Sequence, residues 1–129
     1  MPKESISTPD APGAVGPYVQ GVKAAGLLFC SGQIPLDPTT GEIVGDSAPE
    51  QAIQCLKNLD AVCGAAGTSL ASDVKITVLM TDLSQFTSVN AAYATYFEGS
   101  EPPARIAYGV VALPKGAQVE IDMVAVRQA

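Results

Sequence analysis

EPPARIAYGVVALPKGAQVEIDMVAV, residues 101–126, is the stretch whose reading decides the fold. It reads as a β-hairpin: residues 105–112 form one strand, residues 117–126 the other, and Leu113-Pro114-Lys115-Gly116 the turn. Gly116 supplies the special backbone conformation and Pro114 pre-sets φ early in the turn. With Ala112 opposite Ala117, Gly109 faces Glu120, Ala107 faces Asp122 and Arg105 faces Val124. Successive side chains alternate between faces. One face then carries Ile106, Tyr108 and Val110 against Val119, Ile121 and Met123, and is core. The other carries Arg105, Ala107, Gly109 and Val111 against Gln118, Glu120 and Asp122. Ala107 and Gly109 leave a hollow between a guanidinium and a carboxylate. A guanidinium fork suits a carboxylate ligand, and a nearby carboxylate can steer a water or carry a proton. A solvated sheet face with an incidental ion pair fits the same residues.

Outward from that stretch, alternation and punctuation mark the other elements. Residues 3–8 are a short strand candidate. Gly16-Pro17 introduces a strand over 18–22, Ala24-Ala25-Gly26 turns the chain, and residues 27–34 return as its hairpin partner. PLDPTTG, residues 35–41, is loop. Ser47 and Glu50 have capping-box spacing, Ile53, Leu56, Leu59 and Cys63 repeat at helical spacing, and Gly67 stops the helix. Residues 73–81 alternate as a strand, with Val74, Ile76, Val78 and Met80 on one side. Asp82 or Ser84 caps a second helix, with Phe86, Val89, Tyr93 and Tyr96 inward and Gly99 at its end. The order is β-β-β-α-β-α-β-β. It predicts one α+β domain over 1–129, a single sheet with both helices on one face. The other face holds Leu79 and Val111 beside polar groups, and oligomerisation is the simplest way to cover it. A pocket then forms where subunits meet.

Composition narrows the chemistry. A chain of 129 residues that is 47 % hydrophobic supplies one core. Net charge is −6, and the seven Lys and Arg are scattered, which argues against nucleic acid as a partner. His is absent, removing Ser-His and Cys-His catalysis and the commonest metal ligand. No metal-binding spacing occurs, so neither metal nor cofactor is expected. Cys55 and Cys63 fall about 12 Å apart along one helix, too far for a disulfide, and the three cysteines fit a reduced, cytoplasmic protein. No segment is apolar and long enough to span a membrane.

Smaller features remain open on the residues alone. Gly32 within a strand marks a bulge or the close approach of a ligand, with the Ser31 hydroxyl beside it. Tyr18 either points into a cleft or sits at an interface. Asn90 is either solvated or bonds a loop.

GPYVQGVKAAGLLFCSGQIPLDPTTGEIV, VNAAYATYF and PPARIAY…LPKGAQVEIDMVAV together resemble the Rid family, the YjgF-type reactive intermediate deaminases. The resemblance spans essentially the whole chain. It implies a chorismate-mutase-like α+β homotrimer with active sites between subunits. The implied activity is hydrolysis of 2-imino or 2-enamino acids to 2-oxo acids and ammonia. By the same resemblance, Arg105 holds the substrate carboxylate and Glu120 handles water or protons. Tyr18, Ser31, Gly32 and Asn90 then form or support the pocket. A cysteine frequent in the family two residues after the arginine is Ala107 here, so thiol chemistry at that point is not expected. The loop from 97 to 105 also looks shorter than in some relatives. Alternatives are a non-catalytic carboxylate-binding or chaperone-like module, an endoribonuclease or translation inhibitor, and a specialised catabolic deaminase for aminoacrylate- or aminomuconate-type compounds.

Overall fold

The computed structural model describes residues 2–126. Strands β1 (Glu4–Ile6), β2 (Gly21–Ala24) and β3 (Leu27–Gln33) precede helix α1 (Ala48–Ala65). Strand β4 (Asp73–Met80), helix α2 (Phe86–Tyr96), β5 (Ala104–Gly109) and β6 (Val119–Val126) follow. All six strands form one mixed sheet in the order β1-β2-β3-β6-β4-β5.

Local signals act where expected. Ala25 and Gly26 take positive φ (53° and 78°), turning β2 tightly into β3. The Ser47 hydroxyl caps α1 by accepting from Glu50 N and donates to the Glu50 carboxylate at 2.8 Å. The Asp82 carboxylate caps a short 3-10 turn, Leu83–Gln85, that runs into α2.

The hairpin expected at 105–126 does not form. β4 lies between β5 and β6, parallel to β5 and antiparallel to β6. Gly116 does take a positive φ of 72°, but within a 3-10 turn, Pro114–Gly116, in a longer connection that carries the chain across β4. The physical cause is β4 itself. Its alternating residues Ile76, Val78 and Met80 are buried, whereas Val74, expected beside them, is 43 % exposed because the register of β4 against β6 shifts between Asp73 and Lys75. A strand with a neighbour on each edge satisfies backbone groups on both sides.

The inserted strand reverses the face expected of β5, while Val119, Ile121 and Met123 of β6 are buried as expected. Across the sheet, Arg105 aligns with Ile76 and Met123, Ala107 with Val78 and Ile121, and Gly109 with Met80 and Val119. This row faces the helices. Ile106 and Tyr108, expected in the core, lie on the open face and are each 48 % exposed. Tyr108, Leu79 and Glu120 align there, as do Ile106, Thr77 and Asp122.

Beneath α1, the core joins Leu56, Leu59, Val62 and Cys63 to Leu28, Ile121 and Met123. Its polar members are placed with partners: Asn58 Nδ2 donates to the carbonyls of Ile34 and Leu36, pinning the β3–α1 loop to the helix. Asp73, at the start of β4, is different. Both carboxylate oxygens are buried without a hydrogen-bond partner, and burial pushes its pKa up to about 6. The folded state therefore holds this proton more tightly than the unfolded chain, so its charge opposes folding above that pH. Asp73→Asn should stabilise the fold at pH 8 by on the order of 1 kcal/mol, allowing for part exposure of the side chain. The gain should shrink as pH falls through 6 towards 4. Chemical denaturation at both pH values reads it, and a loss of stability at pH 8 would contradict the assignment.

Candidate functional site

The residues singled out in the sequence gather into two clusters on opposite faces of the sheet. The first is on the helix side of β5, one of the two edge strands. Helical spacing puts Phe86, Asn90 and Tyr93 on one side of α2, and Arg105 reaches them from β5. Its guanidinium lies 4.9 Å from the Tyr93 ring centroid and 5.6 Å from that of Phe86, and Nη1 donates to Asn90 Oδ1 at 2.7 Å. Aromatic faces attract a cation without neutralising it. The ion pair described in the chain, Lys23–Glu4, lies elsewhere. Arg105 is thus an exposed cation held by neutral groups, the arrangement that suits an incoming anion.

Tyr93 stiffens this cluster. Its ring packs against Phe97 at a tilt of 43°, with centroids 4.7 Å apart. Burial, together with the Asp73 charge, pushes its hydroxyl up to about 12, partly offset by Arg105. Phe86 and Tyr93 were read from the sequence only as inward apolar positions of the helix. The signal for their second role is an asparagine between two aromatics at spacings of four and three.

The second cluster joins β3 and β6 to the segment before β2, where Tyr18 lies outside the strand expected over 18–22. The register of β3 against β6 shifts between Cys30 and Gln33, so the bulge reading of Gly32 is the observed one. The Glu120 carboxylate packs against Gly32, where a Cβ would stand 3.1 Å from Glu120 Cδ and closer still to Oε2. Ser31 Oγ donates to Val19 O at 2.6 Å, fixing the segment that carries Tyr18. Tyr18 is half exposed, accepts from Val15 N at its hydroxyl, and shares a small cavity of about 40 Å³ with Gly32. Burial first, and then the neighbouring Asp122 charge, raise the Glu120 pKa above the ordinary glutamate value.

Arg105 and Glu120 therefore do not flank a common hollow within one chain, and Ala107 packs towards the core between the helices and the sheet. Gly109 is occupied in another way, since a Cβ there would press on Leu83 at 3.2 Å. Cys30, Cys55 and Cys63 are buried free thiols. Among the described residues no three metal-ligating side chains gather, and no helix is long and apolar enough to cross a membrane.

Gly32→Ala tests the contact with Glu120. The clash is with the far end of a flexible side chain, so the fold should survive with a melting shift of only a few degrees, about 1 kcal/mol or less. Glu120 should swing outward and titrate lower, which carboxyl NMR would show. An unchanged Glu120 titration would mean that the carboxylate does not rest on Gly32.

The family model described as Endoribonuclease L-PSP matches residues 8–127. The RutC family protein y4sK of Sinorhizobium fredii is 59 % identical over 122 residues, covering 94 % of this chain and 95 % of that protein. The 2-iminobutanoate/2-iminopropanoate deaminase of Homo sapiens is 47 % identical over 122 residues, covering 95 % and 88 %. The crystal structure of E. coli TdcF with bound serine superposes with a TM-score of 0.92 at 43 % identity, covering 97 % and 99 %.

Proposed function

Since the chain belongs to the Endoribonuclease L-PSP family, the Rid or YjgF group, we propose that it hydrolyses 2-imino and 2-enamino acids to 2-oxo acids and ammonia. The observation that carries the reading is Arg105, an exposed guanidinium held by two rings and an amide rather than by a carboxylate. Relatives 47 % identical that are named 2-iminobutanoate/2-iminopropanoate deaminases support the reaction class.

The working site joins two subunits of a homotrimer. Arg105 of one subunit holds the substrate carboxylate, steadied by Asn90. The neighbour brings Glu120, with Tyr18, Ser31 and Gly32 shaping the wall beside it. Two surfaces favour such a contact: the unpaired edge of β5, and the open face bearing Phe29, Ile106, Tyr108 and Val126, all at least 45 % exposed. Unpaired edges and apolar faces of this kind are ordinarily covered.

An iminium carbon is already electrophilic, so the site needs orientation, one water and one proton carrier. Glu120 takes a proton as water adds to that carbon, giving a carbinolamine. It returns the proton to nitrogen, the C–N bond breaks, ammonia leaves, and the hydroxyl loses its proton to give the 2-oxo acid. A raised pKa makes Glu120 a better acceptor than an ordinary glutamate. Ala107 leaves no thiol beside Arg105, and none is needed. The family model's endoribonuclease description is the second reading; a net charge of −6 and the lack of His count against it.

Steady-state imine hydrolysis separates the roles. Arg105→Lys keeps charge but loses the fork, and loss of a charged hydrogen bond of about 1.5–3 kcal/mol should cut activity at least about tenfold. Glu120→Gln should lower kcat more than it weakens binding of pyruvate. Parent-like hydrolysis and pyruvate binding by Arg105→Lys would end the carboxylate-clamp reading. Light scattering should give three times 13.2 kDa, and a stable monomer would remove the shared site.

The pH profile supplies an independent check. Activity needs Glu120 ionised, so it should fall as pH drops through a midpoint above the ordinary glutamate value. Removing the neighbouring charge with Asp122→Asn should move that acid limb to lower pH. An upward or absent movement would separate the limb from Glu120.

A further inference from the structure

Beside Arg105 lies a cavity of about 550 Å³ that the hydrolysis of small imines leaves mostly unused. Tyr93, Ala94 and Phe97 of α2 and the turn after it form one wall, Pro102 and Pro103 the other, and Arg105 stands at one end. Its polar groups are largely occupied. Ser100 Oγ donates to Phe97 O at 2.9 Å and Asn90 Oδ1 is taken by Arg105, while the Tyr93 hydroxyl is buried with no hydrogen-bond partner among the described residues. What faces the space is a cation at one end and apolar surface along the rest. The walls are also stiff, because the tilted Tyr93–Phe97 pair fixes one side and proline rings restrict the other.

We propose that this cavity is a side-chain subsite, and that the protein takes 2-imino acids with branched or aromatic side chains. The inference rests on the hydrolytic reading and narrows its substrate class. Charge complementarity places the carboxylate on Arg105, and the side chain then runs along Ala94 and Phe97 towards the prolines. The volume falls within the range of about 300–1,000 Å³ typical of small-molecule pockets. A methyl or ethyl group, each carbon displacing roughly one water share of about 30 Å³, leaves most of it unfilled. Burying a larger apolar side chain there expels water from a surface that offers it few partners.

Ala94 is exposed on α2, so a larger residue fills the cavity without entering the core. Imines generated in situ from alanine and from phenylalanine are followed by 2-oxo acid release with the parent chain, Ala94→Leu and Ala94→Trp. For Ala94→Trp, kcat/KM for the phenylalanine-derived imine should fall about tenfold or more, while the alanine-derived value stays within about threefold. Ala94→Leu should lie between. Equal losses on both substrates, or no loss on either, would overturn the subsite. So would a change of assembly mass in Ala94→Trp, because the cavity would then be a contact between subunits. If the parent hydrolyses neither imine, the hydrolytic reading fails, and calorimetry with pyruvate and phenylpyruvate judges the cavity by itself. Tighter phenylpyruvate binding that Ala94→Trp removes upholds an amphipathic-anion site, and equal binding of the two ends it.

Discussion

The hydrogen-bond ladders on both edges of β4 hold the two halves of the candidate site apart. Because β5 lies against one edge and β6 against the other, Arg105 aligns with the buried Ile76, while Glu120 aligns with Leu79 on the opposite face. A direct β5–β6 hairpin would have put both charges over one hollow, where they would neutralise each other. The inserted strand leaves the cation without an internal carboxylate. It also leaves the carboxylate on a surface where burial and Asp122 raise its proton affinity. Each group is kept in the state that the proposed reaction between subunits would use.

Around this separation, neutral contacts do the positioning. Phe86 and Tyr93 bracket the guanidinium, and Asn90 fixes its orientation with one short hydrogen bond. None of the three reduces its charge, so positioning does not compete with ligand binding. On the other face Gly32 serves by lacking a side chain, since its bulged position lets the Glu120 carboxylate lie against the backbone. The two clusters use opposite means, one crowded with rings and one stripped of a Cβ, to hold a single charged group each.

Much of the fold was legible because its signals are local. The capping box at Ser47 and Glu50, the turn at Ala25-Gly26 and the alternation in β4 act within a few residues of themselves, and each stands where expected. Pairing was not legible. Alternation in residues 105–126 says that two strands exist, but not that a distant third, β4, separates them, and a nearby turn makes the hairpin the natural reading. That error carried the side-chain faces with it, because inserting a strand reassigns which residues share a row. Arg105 and Glu120 stood out as candidates from residue type and family resemblance, whereas their separation depends on long-range register. Phe86 and Tyr93 were hidden for another reason: an aromatic that packs a helix inward looks the same in sequence whether it meets aliphatic core or a guanidinium.

The position of β5 has a consequence for the life of the chain before assembly. An outermost strand presents unsatisfied backbone groups, and short uncharged apolar runs on such an edge recruit other chains into cross-β stacks. The segment is ARIAYG, and its one charged residue is Arg105. The guanidinium proposed to take a carboxylate in the folded protein is therefore also the one charge that guards the exposed edge in a newly made one. A chain that lost it would give up the proposed carboxylate clamp and, with it, part of its protection against misassembly during synthesis.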